Sequence, residues 1–223
     1  MKLSLSLIAA LAGDYLSFKA VTGSGTLSTA GAEVLKRVLK KRADAAREIL
    51  IEEMKLGHKF KEEISEDEVA ATIFRYMRAA EEGAARRNLR FLAAVAAGQA
   101  AQEGLYADTF LRWADVIASL SREEIIVLGV AYRLGSKMDF EIARDGRFWT
   151  DCLDVLSNDH KIDARVADSL AASLLRTGML QILGGLFDMG HAYLPADKLI
   201  ALGHLVDIEG LSHRSDELDG LGR

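Results

Sequence analysis

Apolar residues recur every three to four positions along most of this chain, the spacing of helices that bury one face. The runs are punctuated by Gly, Ser and Asp rather than by proline. Leu3, Leu7 and Leu11, four residues apart, predict a first helix within residues 1–21, followed by a break at Thr22-Gly23-Ser24-Gly25-Thr26. A long helix is expected from about Thr29 to Leu56, with Ser28 or Thr29 as its cap and Gly57 at its end. Ser65-Glu66-Asp67-Glu68 has the form of a capping box. It opens a helix to about Glu82 that carries Val69, Ile73, Phe74 and Met77 on one side. Gly83 marks a bend. Leu89, Phe91, Leu92 and Val95 then lead into residues 93–101, almost all alanine and glycine, whose small side chains let helices approach closely. That segment is read as core, with a helix–helix oligomer contact as the alternative.

Phe110, Leu111, Trp113, Ala114, Ile117 and Ala118 face mostly inward on a helix predicted over Asp108–Leu120. Ser121-Arg122-Glu123-Glu124 is a second capping box and starts a strongly apolar helix, Ile125–Leu134. A polar link over 135–146 and a short helix, Arg147–Leu156, come next, and Ser157-Asn158-Asp159 reads as a turn. The pattern then changes. Asp163 caps a helix to about Thr177 that Gly178 stops. Met179–Leu183 and Ala192-Tyr193-Leu194 read as a hairpin around Gly184-Gly185, and Pro195 opens a last helix to about Val206. The fold class is therefore all-α, mainly a helical bundle, with a small C-terminal winged-helix-like helix–β-hairpin–helix part. The expected organisation is an apolar N-terminal helix and break (1–28), a helical bundle (29–157), a winged-helix-like module (158–209) and a polar tail (210–223).

Composition sharpens this picture. In 223 residues there are one proline and one cysteine, half the chain is hydrophobic and the net charge is −5. A disulfide scaffold and a cysteine-rich zinc site are excluded, and a lone Cys152 fits a reducing compartment, so the expected location is cytoplasmic. Lys2 before the run Leu3–Leu11 has some features of an export signal. A single basic residue and a short apolar run favour a first helix instead, with peripheral membrane contact through these turns as an alternative.

Charge singles out one candidate contact surface. The long helix carries Lys36, Arg37, Lys40, Lys41, Arg42 and Arg47 against Asp44 alone, a local net of +5. Such a face suits phosphates, acidic lipid headgroups or an acidic protein, and the plainer alternative is a solvated face balanced by Glu48, Glu52 and Glu53. Enzyme chemistry finds no comparable signal. Thr22–Thr26 lacks the frame of a phosphate loop. His204 and Asp207, one helical turn apart, could meet zinc or manganese with His191 or Asp188, but no ligand pair has a recognised frame. Cys152 has no local base, and Ser157, Asp159 and His160 are sequence neighbours without a nucleophile elbow. Glu123-Glu124 suits a helix start and Glu81-Glu82 an exposed helical segment. No catalytic, metal or cofactor residues are assigned. As a DNA reader the C-terminal module would use Ala164–Thr177 as recognition helix and Gly184–Gly190 as wing, yet residues 164–223 hold five Lys/Arg against eight Asp/Glu.

Several local runs carry a family resemblance. They are Arg87-Asn88-Leu89-Arg90-Phe91-Leu92-Ala93 after a charged helix, Phe110 ahead of Leu120-Ser121-Arg122-Glu123-Glu124, and Leu174-Leu175-Arg176-Thr177-Gly178-Met179. Tyr193-Leu194-Pro195 and Leu202-Gly203 follow them. In layout, residues 60–206 resemble the Abi-alpha-like family of bacterial proteins linked to abortive phage infection. The resemblance implies a phage-defence or mobile-element setting and no reaction. The expected function is a non-enzymatic interaction protein acting through protein contacts, with homo-oligomerisation as one mode. A DNA-binding regulator using the C-terminal module and a peripheral membrane protein using residues 3–11 and the basic helix are the alternatives.

Overall fold

Small side chains make one helix the axis of the N-terminal part. In the computed structural model, Asn88 through Ala100 are buried without interruption, as the alanine-rich sequence predicts, because methyl-sized groups let neighbouring helices close in from several sides. The structure describes residues 4–22, 29–56, 65–102, 104–137, 147–183, 192–218 and 220, and the side chains of all of these except 16–22 and 29–32. The break at 23–28, Gly57, Gly184-Gly185, the wing at 184–190 and most of the link at 135–146 lie outside the described residues. The described elements make an all-α protein with one two-stranded antiparallel sheet.

The chain divides into two units, 1–119 and 120–223. The first holds α1 (Leu5–Thr22), α2 (Thr29–Lys55), α3 (Glu66–Glu82), α4 (Arg86–Gln102) and α5 (Ala107–Ile117). Helix α4 packs against α2, α3 and α5. Buried polar groups fix the register. The Tyr76 hydroxyl donates to the Ala46 carbonyl at 2.9 Å, and the Asn88 amide donates to the Ile117 carbonyl at 2.7 Å. Arg90 faces Glu53 at 3.8 Å, both buried. Gly83 ends α3 at φ 100°, a left-handed conformation that glycine adopts without Cβ strain. Ser65 sits at the start of α3 but makes no side-chain cap. Its expected box partner, Glu68, instead accepts the backbone N–H of Ala107 at the start of α5.

The second unit holds α6 (Arg122–Gly135), α7 (Arg147–His160), α8 (Ala164–Leu174) continued by one 3₁₀ turn, strands β1 (Leu180–Leu183) and β2 (Ala192–Pro195), and helices α9 (Asp197–Leu205) and α10 (Ile208–Leu218). Here the capping box forms: Ser121 Oγ accepts the Glu124 N–H at 3.1 Å and Glu124 Oε2 accepts the Ser121 N–H at 2.8 Å. Residues Glu124–Ala131 are buried, and α7, α8, α9, α10 and β2 pack on α6. The hairpin pairs Leu180 with Pro195 through Leu183 with Ala192. Trp149 stacks edge-on against Tyr193 with ring centres 5.0 Å apart, and its indole N–H donates to Asp168 at 2.8 Å.

Three sequence expectations shift. The division falls after Ser119 rather than at 157/158, because α6 and α7 share their core with the hairpin and α8. Ser157-Asn158-Asp159 is the last turn of α7, which runs to His160. The buried stripe Phe148, Trp149, Cys152 and Leu156 holds the helix, and Lys161 at φ 59° ends it. From Ile208 the expected tail is helical: Ile208 and Leu211 are buried, and Arg122 Nε pairs with Asp216 at 2.9 Å.

Candidate interaction surface

The apolar stripe of α2 runs its whole described length, but the fold covers only part of it. From Ala43 onward the stripe is core, with Ala43, Ala46, Ile49, Leu50 and Met54 buried. Before Ala43 the line of that stripe continues through Leu35 and Leu39, with Val38 at its edge and Val34 further round the helix, and Val34, Leu35 and Val38 are 60%, 50% and 41% exposed. Only Leu39 is half-buried there. Large aliphatic groups left in water at three positions within five residues are the informative departure from ordinary burial.

The six candidate basic residues divide into two groups. Lys36, Arg37, Lys40 and Lys41 are exposed, and none has an ion-pair partner among the described residues. Arg42 and Arg47 are turned toward the fold. Arg42 Nη1 donates to the Glu81 carbonyl at 3.1 Å and lies over Gly83, where a Cβ would come within 3.3 Å of it. The Arg47 guanidinium lies beside Gly13 of α1. Val34, Arg37, Val38 and Lys41 stand at i, i+3, i+4 and i+7, so two valines and two cations share one edge of the helix.

The other sequence candidates are not brought together into a site, or lie outside the described residues. Cys152 is buried, and burial pushes its thiol up to about 12. Ser157 and Asp159 are exposed on the final turn of α7, and His160 is half-buried with its ring 6.2 Å from that of His213. Burial lowers the His160 pKa, and His213 and Arg122 act in the same direction against Glu209 and Asp159. Asp207 accepts the Gly210 N–H at 3.0 Å within the first turn of α10. His191 and Asp188 lie outside the described residues. Among the described residues no three His, Cys, Asp or Glu side chains are grouped to hold a metal, and no helix is long and apolar enough to cross a membrane.

On α8, Arg165, Val166, Ser169 and Ala172 are exposed. Arg176, just beyond, is engaged: its Nη1 donates to Glu124 Oε1 at 2.8 Å and to Ser173 Oγ at 2.8 Å. Ser173 Oγ also donates to Glu124 Oε1 at 2.9 Å. A phosphate contact by Arg176 would have to break this network.

Sequence periodicity located the basic helix but not the exposure of Leu35 and Val38, because a stripe has the same spacing whether or not a neighbour covers it. It also missed the Glu124–Ser173–Arg176 network, whose members lie about 50 positions apart with only the capping box as a local signal. No protein-family model, curated protein or solved structure matches the chain.

Proposed function

We propose that this chain is a non-enzymatic interaction protein and that the first half of α2 is the surface it uses. The observation that carries this reading is the coincidence of Val34, Leu35 and Val38 in solvent with four cations, Lys36, Arg37, Lys40 and Lys41, that have no ion-pair partner among the described residues. Burying the aliphatic groups supplies affinity, and the cations select an acidic surface and speed its capture. The resemblance to the Abi-alpha-like family supports a setting in phage defence or mobile-element conflict.

The test is a low-salt pull-down of the full-length chain from bacterial lysate, with and without nuclease, identifying both protein and nucleic acid. The expected result is a discrete protein companion that survives nuclease. It should be lost when Lys40→Glu and Lys41→Glu are combined, with helicity unchanged by circular dichroism. Equal capture by the double variant would sink the reading. Nuclease-sensitive nucleic acid as the main companion would favour a DNA-binding regulator instead.

A further inference from the structure

The two units differ in charge: residues 1–119 hold 17 Lys/Arg against 16 Asp/Glu, and residues 120–223 hold 11 against 17. The imbalance has a local expression on α7. Asp151, Asp154 and Asn158 are exposed and Val155 is half-buried, and these four stand at i, i+3, i+4 and i+7. Neither aspartate has an ion-pair partner among the described residues. Arg147, one turn earlier on this face, is itself engaged. This edge is the counterpart of Val34, Arg37, Val38 and Lys41 on α2. One edge sets two cations beside two valines, and the other sets two acids beside a valine. Arg37 and Lys41 lie about 6 Å apart along their helix, and Asp151 and Asp154 about 4.5 Å apart along theirs, so two ion pairs can form side by side when the helices lie together.

We infer that the α2 edge Val34–Arg37–Val38–Lys41 docks on the α7 edge Asp151–Asp154–Val155–Asn158 of a second copy of this chain. The inference rests on the reading of α2 as a contact surface and names the partner. The docked faces differ, so a pair joined by one such contact keeps the α7 edge of one copy and the α2 edge of the other free. Such contacts extend into rings or filaments, or close as a two-fold dimer where both form reciprocally. The valines supply apolar burial, and the ion pairs set register and make the contact salt-sensitive.

Sedimentation velocity of the full chain tests this. The expected result is a weight-average mass that rises with protein concentration at low salt and falls as salt is added. Arg37→Glu with Lys41→Glu should abolish the association, and so should Asp151→Lys with Asp154→Lys. Mixing the two double variants in equal amounts should restore it, because each then presents one intact edge and the reversed edges complement each other. The restoration also shows that both variants are folded. A monomeric wild-type chain at every concentration, association that survives either double variant, or a mixture that stays monomeric would each overturn the proposal. The broader reading is judged separately. If the wild type is monomeric but Arg37→Glu with Lys41→Glu loses an identified protein companion in the pull-down, self-docking fails and the contact role of α2 stands. If that variant changes neither readout, both fail. Flotation with anionic vesicles that the same variant abolishes, without self-association, counts against a second copy and assigns the edge to lipid.

Discussion

At the scale of single residues, the informative side chains are those whose surroundings set their chemistry. Burial raises the Cys152 thiol to about 12, so its thiolate is scarce at neutral pH. A thiol reagent should modify the folded protein far more slowly than the same protein in denaturant, and equal rates would contradict the burial. Glu124 has opposing influences. Burial raises its pKa, but the bonds from Arg176, the Ser121 backbone and Ser173 outweigh it and leave the value below 4.5. The folded carboxyl thus binds a proton less readily than the unfolded one. Its stabilising contribution is complete above about pH 4.5 and is lost as pH falls through the lower folded value. Glu124→Gln should lower stability at neutral pH by about 1.5 kcal/mol and flatten the acid limb of a stability–pH curve. An unchanged acid limb would show that the network is not formed in solution. Gly203 is a packing glycine: a Cβ there would collide with the Tyr132 ring, and Gly203→Ala should cost about 1–3 kcal/mol in chemical denaturation.

At the scale of elements, two sequence signatures of the same form have different outcomes. Ser121 and Glu124 make both reciprocal bonds of a capping box, whereas Ser65 makes no side-chain cap and Glu68 reaches across to α5. Ser121→Ala should therefore cost about 1 kcal/mol, while Ser65→Ala should stay within about 0.5 kcal/mol. Equal losses in denaturant titrations would mean that the two starts are capped alike. Local sequence states what a glutamate can do, and tertiary neighbours decide which N–H it meets. The same limit explains what else the pattern could and could not tell. Helical spacing and breakers predicted α2, α3 and the hairpin nearly to their ends, because those signals are local. Ser157-Asn158-Asp159 read as a turn from composition, yet the helix that the buried Phe148–Leu156 stripe holds runs four residues further, to His160. The basic run of α2 was legible. That Arg42 and Arg47 serve the fold while Leu35, in line with the buried stripe, remains in water depends on where packing stops, and no periodicity encodes that.

At the scale of the whole molecule, the position of the boundary matters more than the number of units. The sequence pattern grouped α6 and α7 with the preceding bundle. In the structure they belong with α8, the hairpin, α9 and α10. Residues 120–223 contain a core of their own. Ile125, Leu128, Phe148, Trp149, Leu156, Leu174, Tyr193, Leu199 and Leu211 are all buried, and the pairing of Arg122 with Asp216 joins the first helix of the unit to its last. A segment with its own apolar core and a tie between its ends has what an autonomous domain requires. The fragment 120–223 should therefore fold alone, with a cooperative thermal transition and with Cys152 as protected from thiol reagents as in the full chain. The cysteine makes the test stringent, because helical circular dichroism alone would survive in a loosely packed state. A helical fragment whose Cys152 reacts at the denatured rate would show that α6 and α7 need residues 1–119 to pack, and that the boundary after Ser119 divides a single folding unit.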